Sequence, residues 1–153
     1  MKVSASKYAV PEWLAKKEVV QEAYNRWLSR KAKAHVKRDR KRKTPATIEE
    51  YKHAIHGAVQ SCQGLDAYTG EDLRWDLLGR YNNEASKSGR SKYKAEFGLL
   101  PTVDHAGSGD SVADFKICAW RTNDAKCDLS YEKFVELCQL VLKHHDKKSA
   151  GSA

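Results

Sequence analysis

Apolar positions recur at helical spacing in three stretches of the chain and form short, strand-like runs in two more. After a frayed start over residues 1–10, Trp13, Val20, Tyr24, Trp27 and Leu28 mark one face of a helix. With Pro11 suited to a first helical turn, they predict a helix from about residue 11 into the polar stretch beyond residue 30. Its first half has an apolar face to dock. Its second half, residues 31–38, has only Ala32, Ala34 and Val36 to bury and reads as a projecting charged rod. Thr44-Pro45 breaks the pattern, and Thr47 with Glu50 stands in capping-box spacing. Ile48, Tyr51, Ile55, Ala58, Val59 and Cys62 then mark a second helix, ended by Gln63-Gly64.

Tyr68-Thr69-Gly70-Glu71 is turn-like, and Leu73, Trp75 and Leu77 alternate as in a short strand. Residues 80–95 are polar and predict a loop or flexible insertion. Two apolar runs, 97–104 and 115–120, predict two strands joined by a Gly- and Ser-containing loop over 106–112. Thr122 is placed to cap a short helix over 123–127. Ser130 is placed to cap a last helix with Phe134, Leu137, Cys138, Val141 and Leu142 facing inward, and residues 149–153 read as a disordered tail. The pattern predicts an α+β protein. A helical region over 1–62 carries a basic arm at 30–43, and a second region spans 63–148.

Composition narrows the class. At 153 residues and 41 % apolar content the chain suits one modest core. No apolar run approaches the ~18 residues of a membrane span, and no leader-like segment follows Met1, so neither membrane insertion nor secretion is expected. Cys62, Cys118, Cys127 and Cys138 lie far apart without a CxxC pair, which predicts reduced thiols in a cytoplasmic, intracellular setting, nuclear if the source is eukaryotic. Buried thiols are the favoured reading over a zinc site, and His53 and His56 read as part of a polar helix face rather than a metal pair.

Charge is the most uneven property. Residues 1–43 hold 14 Lys/Arg against 4 Asp/Glu, whereas residues 44–153 hold 14 against 16. Within 30–43 there are nine basic residues and a single acid, Asp39. Such a run suits a polyanion, because each cation near a phosphate releases condensed counterions; a solubilising charge run or a nuclear-import signal are the plainer alternatives. The candidate nucleic-acid contacts here are Lys37, Arg38, Arg40, Lys41, Arg42 and Lys43.

The stretch that carries chemistry is Asp104-His105, then Asp114-Phe115, then Asn123 and Lys126. It puts an acid and an imidazole at the end of one predicted strand and an amide side chain at the start of the helix after the next. A carboxylate and a carboxamide oxygen are hard ligands suited to Mg²⁺, and a neutral imidazole beside them can take a proton from water near pH 7.

In residue order and in its two eight-residue gaps, 106–113 and 115–122, this stretch resembles the HNH family of His-Me finger (ββα-metal) endonucleases. The likeness covers about 30 residues strictly and reaches about 65 if residues 65–73 match the lead-in to the motif; nothing before Gln63 is covered. It implies a ββα-metal core cleaving phosphodiester bonds, with double-stranded DNA as the substrate favoured by analogy. It implies His105 as general base and Asp104 and Asn123 as ligands of one Mg²⁺ (or Mn²⁺ or another divalent ion). Lys126, Arg121 and Lys116 would be phosphate contacts, and Asp114 would stand where the family has an Asn that braces the histidine. An ionised Asp accepts but does not donate, so part of that bracing is lost. Many relatives frame the motif with two CxxC pairs; here those positions read Ala67, Gly70, Ala119 and Thr122, so a structural zinc is not expected. The rival readings are a catalytically silent protein of the same fold and a helical nucleic-acid-binding protein. A homodimer or an inhibitor protein is a further conceivable partner.

Overall fold

Residue-level breaks divide the N-terminal third more sharply than apolar spacing does. The computed structural model describes residues 5–42, 46–106 and 114–152. Helix α1 covers only Glu12–Ala15; Glu18 takes φ 62°, and α2 starts afresh at Gln21 and runs to Lys41. The single helix expected from residue 11 is therefore two. Gln21 accounts for the break: its Oε1 accepts from Val10 N (2.9 Å) and its Nε2 donates to Tyr8 O (2.7 Å), so the preceding segment doubles back over the first turn of α2.

The basic half of α2 is not a free rod. Ala32, His35, Val36 and Asp39 follow i, i+3, i+4, i+7 spacing and are all buried, while Lys33, Lys37, Arg38, Arg40, Lys41 and Arg42 are exposed around them. Helix α3, Ile48–Cys62, opens on the expected capping box: Glu50 N donates to Thr47 Oγ1 (3.1 Å) and Thr47 N to Glu50 Oε2 (2.8 Å). It closes through Gln63 and Gly64, both at positive φ. A side chain on Gly64 would crowd the Trp13 ring at 3.3 Å.

The Gly64 carbonyl accepts from Leu73 N (3.0 Å) and from Trp75 Nε1 (3.3 Å), which folds residues 64–75 back on the helix end. The alternation at Leu73, Trp75 and Leu77 yields one bridge, Leu65↔Asp72, and a 3₁₀ turn over Trp75–Leu77 rather than a strand. Residues expected to loop form α4, Asn83–Glu96, bent at Arg90 where φ is 51°. Asn82 Oδ1 caps it by accepting from Glu84 N and Ala85 N, and it buries no residue, which is why no apolar period announced it.

The two expected strands are present but shorter: β1 is Pro101–His105 and β2 is Phe115–Ala119. They pair antiparallel in a register running from Pro101↔Ala119 to His105↔Phe115. Helix α5, Trp120–Lys126, begins directly after β2, ahead of the expected Thr122 cap. Trp120 N donates to Leu100 O (2.9 Å) and Arg121 N to Gly98 O (3.0 Å), tying the start of α5 to the approach to β1.

The architecture is mixed α+β, mostly helical with one small antiparallel sheet. It forms two units, Met1–Asn123 and Asp124–Ala153. In the first, α2 and α3 pack together and against the hairpin, and Tyr24, Trp27, Leu28, Ile55, Val59, Trp75, Val103 and Ile117 make its core. Each such side chain contributes about 1.5–3 kcal/mol on burial. In the second, Ser130 caps α6, Tyr131–Gly151, which takes in residues 149–151 of the expected disordered tail; residue 153 lies outside the described residues. Its Leu137, Cys138, Val141 and Leu142 are exposed rather than inward-facing; the long helix has no second layer within its own unit to bury them. Among the described residues no helix is long and apolar enough to cross a membrane.

Candidate active site on the β1–β2 hairpin

Helix α2 and strand β1 lie side by side and run in the same direction. Lys31 Nζ donates to Thr102 Oγ1 (2.8 Å), His35 Nε2 lies 3.2 Å from Val103 O, and Asp39 Oδ2 lies 3.3 Å from His105 Nε2. Asp39 and His105 are both enclosed, with side-chain exposures of 5 % and 4 %. Tyr51 on α3 donates its phenol to the same carboxylate oxygen. Burial and the Asp39 charge hold that phenol far above its ordinary pKa, so it stays a donor. The Phe115 ring meets His35, Tyr51 and His105 edge-on at centroid distances of 5.1, 5.0 and 5.2 Å, fixing the ring planes.

Two histidines thus share one wall with different roles. Arg38 donates to His35 Nδ1 (3.3 Å), so the proton of neutral His35 sits on Nε2 and points at the Val103 carbonyl. Burial first, then the Arg38 charge, lowers His35 to about 4, so it is neutral at pH 7. His105 instead has a carboxylate at Nε2. An Nε2–H directed at Asp39 leaves Nδ1 as the acceptor nitrogen of the ring.

Asp39 is the residue the sequence reading missed. Its signal is positional: it is the one acid in a basic run, and it lies three, four and seven residues after Val36, His35 and Ala32, on the buried stripe.

Strand alternation sends Asp104 to the opposite face of the hairpin from His105. Asp104 is buried, and its Oδ2 accepts from the Tyr68 phenol at 2.5 Å. Burial and Asp104 together raise Tyr68 well above its usual pKa. Below this face Asp66 braces the junction of β2 and α5. Its Oδ1 accepts from Tyr68 N (2.7 Å) and Thr69 N (3.1 Å), and its Oδ2 from Ala119 N (2.8 Å) and Thr122 Oγ1 (2.8 Å). Asn123 follows Thr122 on α5 and is half-buried.

Asp114 sits at the mouth of the hairpin. Its carbonyl accepts from Ala106 N (2.7 Å), and its exposed carboxylate lies 3.9 Å from Lys116 Nζ. Lys116 is paired in register with Asp104 and half-exposed. Arg121 is ion-paired with Glu71, and Lys126 is buried at the end of α5. Lys37, Arg38, Arg40, Lys41 and Arg42 ring the solvent side of α2, and Lys43 lies outside the described residues.

Among the described residues no group of three His, Cys, Asp or Glu side chains gathers as a metal site. Asp104 carries a carboxylate and Asn123 a carboxamide, oxygen donors of the kind Mg²⁺ takes, and Asp104 faces away from His105 across the hairpin. No family model, curated protein or solved structure matches the chain.

Proposed function

We propose that the chain is a metal-dependent endonuclease of the HNH, ββα-metal kind, hydrolysing phosphodiester bonds in DNA. The observation that carries this reading is the order strand, strand, helix, with Asp104 and His105 closing β1, Asn123 on α5, and Asp39 seated against the His105 imidazole. The exposed cations of α2 add support as a backbone-binding face.

In this mechanism Lys37, Arg40, Lys41 and Arg42 hold the polyanion by its phosphates. Asp39 fixes the His105 ring and its tautomer. His105 Nδ1 takes a proton from water as the water oxygen attacks phosphorus and the bond from phosphorus to the 3′ oxygen breaks; solvent supplies that oxygen's proton. Asp104 and Asn123 would hold Mg²⁺ on the face of the hairpin opposite His105, so ion and base would meet at one phosphate only past the end of β1; the ion would supply Lewis-acid stabilisation of the negative charge developing there. Tyr68 and Asp66 keep Asp104 and the start of α5 in place.

A second reading, nucleic-acid binding without cleavage, is favoured by one feature: the His105 side chain is only 4 % exposed. Incubating supercoiled plasmid with the full chain in Mg²⁺, Mn²⁺ or EDTA separates the two. The nuclease reading expects nicked or linear product in the metal arms alone. Retained DNA binding with no product in either metal supports the silent binder.

A further inference from the structure

A cleft of about 350 Å³ opens at the other end of β1 from His105. It lies between α2, the start of β1 and residues 79–83, and Trp27, Arg30, Lys31, Tyr81, Asn83 and Trp120 line it. Two cations, Lys31 and Arg30, stand on its wall. Lys31 is largely buried; its ammonium donates to the Thr102 hydroxyl at 2.8 Å, the Cys118 thiol lies close enough to favour its charge, and no carboxylate among the described residues pairs with it. Burial lowers Lys31 to about 8, as expected of a cation lacking a counter-charge. Arg30 is exposed and makes no ion pair among the described residues.

A largely buried ammonium held by a neutral hydroxyl, with an exposed guanidinium beside it at the same cleft, suits an anionic, oxygen-rich ligand. A buried cation without a partner is costly, and a phosphate offsets that cost with charge-assisted hydrogen bonds. The rest of the wall is aromatic. Tyr81 and Trp120 stand nearly perpendicular with centroids 5.0 Å apart, both partly exposed, and Lys94 Nζ lies 5.7 Å from the Trp120 ring centroid. Aromatic faces beside cations bind bases by stacking whatever their sequence. The volume sits at the lower end of the ~300–1,000 Å³ of small-ligand sites, room for one nucleotide and too little for a base pair.

The exposed residues Arg30, Lys33, Lys37 and Lys41 fall on one line of α2 by their spacing of three and four. That line spans about 16 Å at ~1.5 Å per residue and follows the solvent face of α2, on the side away from the buried Asp39 stripe, so it can carry the phosphates of a strand whose one nucleotide enters the cleft.

We propose that this cleft binds one unpaired nucleotide of a nucleic-acid strand, its phosphate on Lys31 and Arg30 and its base against Tyr81 and Trp120. The inference rests on the nucleic-acid part of the function proposed above and does not require cleavage, so it is tested in EDTA.

The test is equilibrium binding of the full chain to a dye-labelled oligothymidylate of about 12 nucleotides, a length within the known range of single-strand sites. An equally long abasic deoxyribose-phosphate oligomer serves as the comparison. The thymidylate should bind about tenfold more tightly, as one stacked base predicts. Lys31→Met should weaken both probes. Trp120→Leu should erase the difference between them while leaving the abasic affinity unchanged; Tyr81→Leu replaces it if the first variant loses its thermal transition. Equal affinity for the two probes in the wild-type chain would overturn the proposal, as would unchanged binding by Lys31→Met. Tighter competition by a phosphotyrosine peptide than by thymidine monophosphate would overturn it in favour of a phosphopeptide. A chain that passes this test yet cuts nothing in Mg²⁺ keeps the cleft and loses the nuclease.

Discussion

The two ends of strand β1 treat a basic side chain in opposite ways. At the C-terminal end, His105 faces the buried carboxylate of Asp39, which Tyr51 also satisfies. At the N-terminal end, Lys31 has a hydroxyl and, among the described residues, no acid, with Arg30 beside it. One helix supplies partners to both ends, eight residues apart, so the contrast is not one of general burial. A base that must take up and release a proton needs a resident carboxylate. A site that must receive an anion needs that carboxylate to be missing. The compensated side suits the proposed base and the open side the proposed anion site.

Breaking the compensated end should have the largest effect. Asp39→Ala leaves His105 and Tyr51 facing an empty, enclosed space and should cost about 3–5 kcal/mol of stability, read by denaturant unfolding. Asp39→Asn, which keeps the shape, should lose much less stability and still lose cleavage, because the amide no longer stabilises the imidazolium.

His35, on the same wall, sharpens the contrast through pH. Its folded pKa of about 4 lies below the ordinary 6.5, so the unfolded chain binds the extra proton first. Stability due to this group is full above pH 6.5 and declines as pH falls toward 4, by up to ~3 kcal/mol. His35→Gln should flatten that part of the stability profile; an unchanged slope would contradict the burial argument.

The open end should respond with the opposite sign. Lys31→Met removes a cation lacking a counter-charge and fills the same space, so stability should hold or rise by about 1 kcal/mol while phosphate-containing ligands bind less well. A drop comparable to that of Asp39→Ala would show that the two ends are alike. The smallest effect is expected on the outer face of α2. Lys37→Ala should leave the melting temperature unchanged and reduce the slope of log affinity against log salt by about 0.9 on duplex DNA.

The residues that were legible in the sequence are those whose burial repeats with a period. Tyr51, Ile55 and Val59 marked α3, and Thr47 and Glu50 marked its start. Val103, Phe115 and Ile117 marked a hairpin whose ends then differed only by a few residues. Helix α4 was not legible, because it buries nothing and is held by the Asn82 cap, an i, i+3 pair of Glu84 with Lys87, and the Tyr93 phenol on Asn82 N. The break between α1 and α2 was hidden because the bonds that cause it run from the Gln21 side chain to the backbone of Tyr8 and Val10, and such bonds leave no periodic mark in the sequence.

The candidate site was legible in part for the same reason. Asp104, His105 and Asn123 follow one another in a short local pattern. Asp39 reaches His105 across 66 positions, and only the packing of α2 along β1 brings them together. A charged residue's inward direction is decided by its neighbours on the helix, and the surrounding run of lysines and arginines drew attention to the outer face instead.

The most direct test of the central claim is single-turnover cleavage of a defined DNA duplex in Mg²⁺, wild type beside His105→Ala, with protein in excess and binding followed in parallel. The account predicts that the variant binds as the wild type does and cuts on the order of 10²–10⁴ more slowly. Cleavage by the variant at the wild-type rate, or a wild-type chain that binds the duplex and leaves it whole in every divalent ion tried, would contradict it.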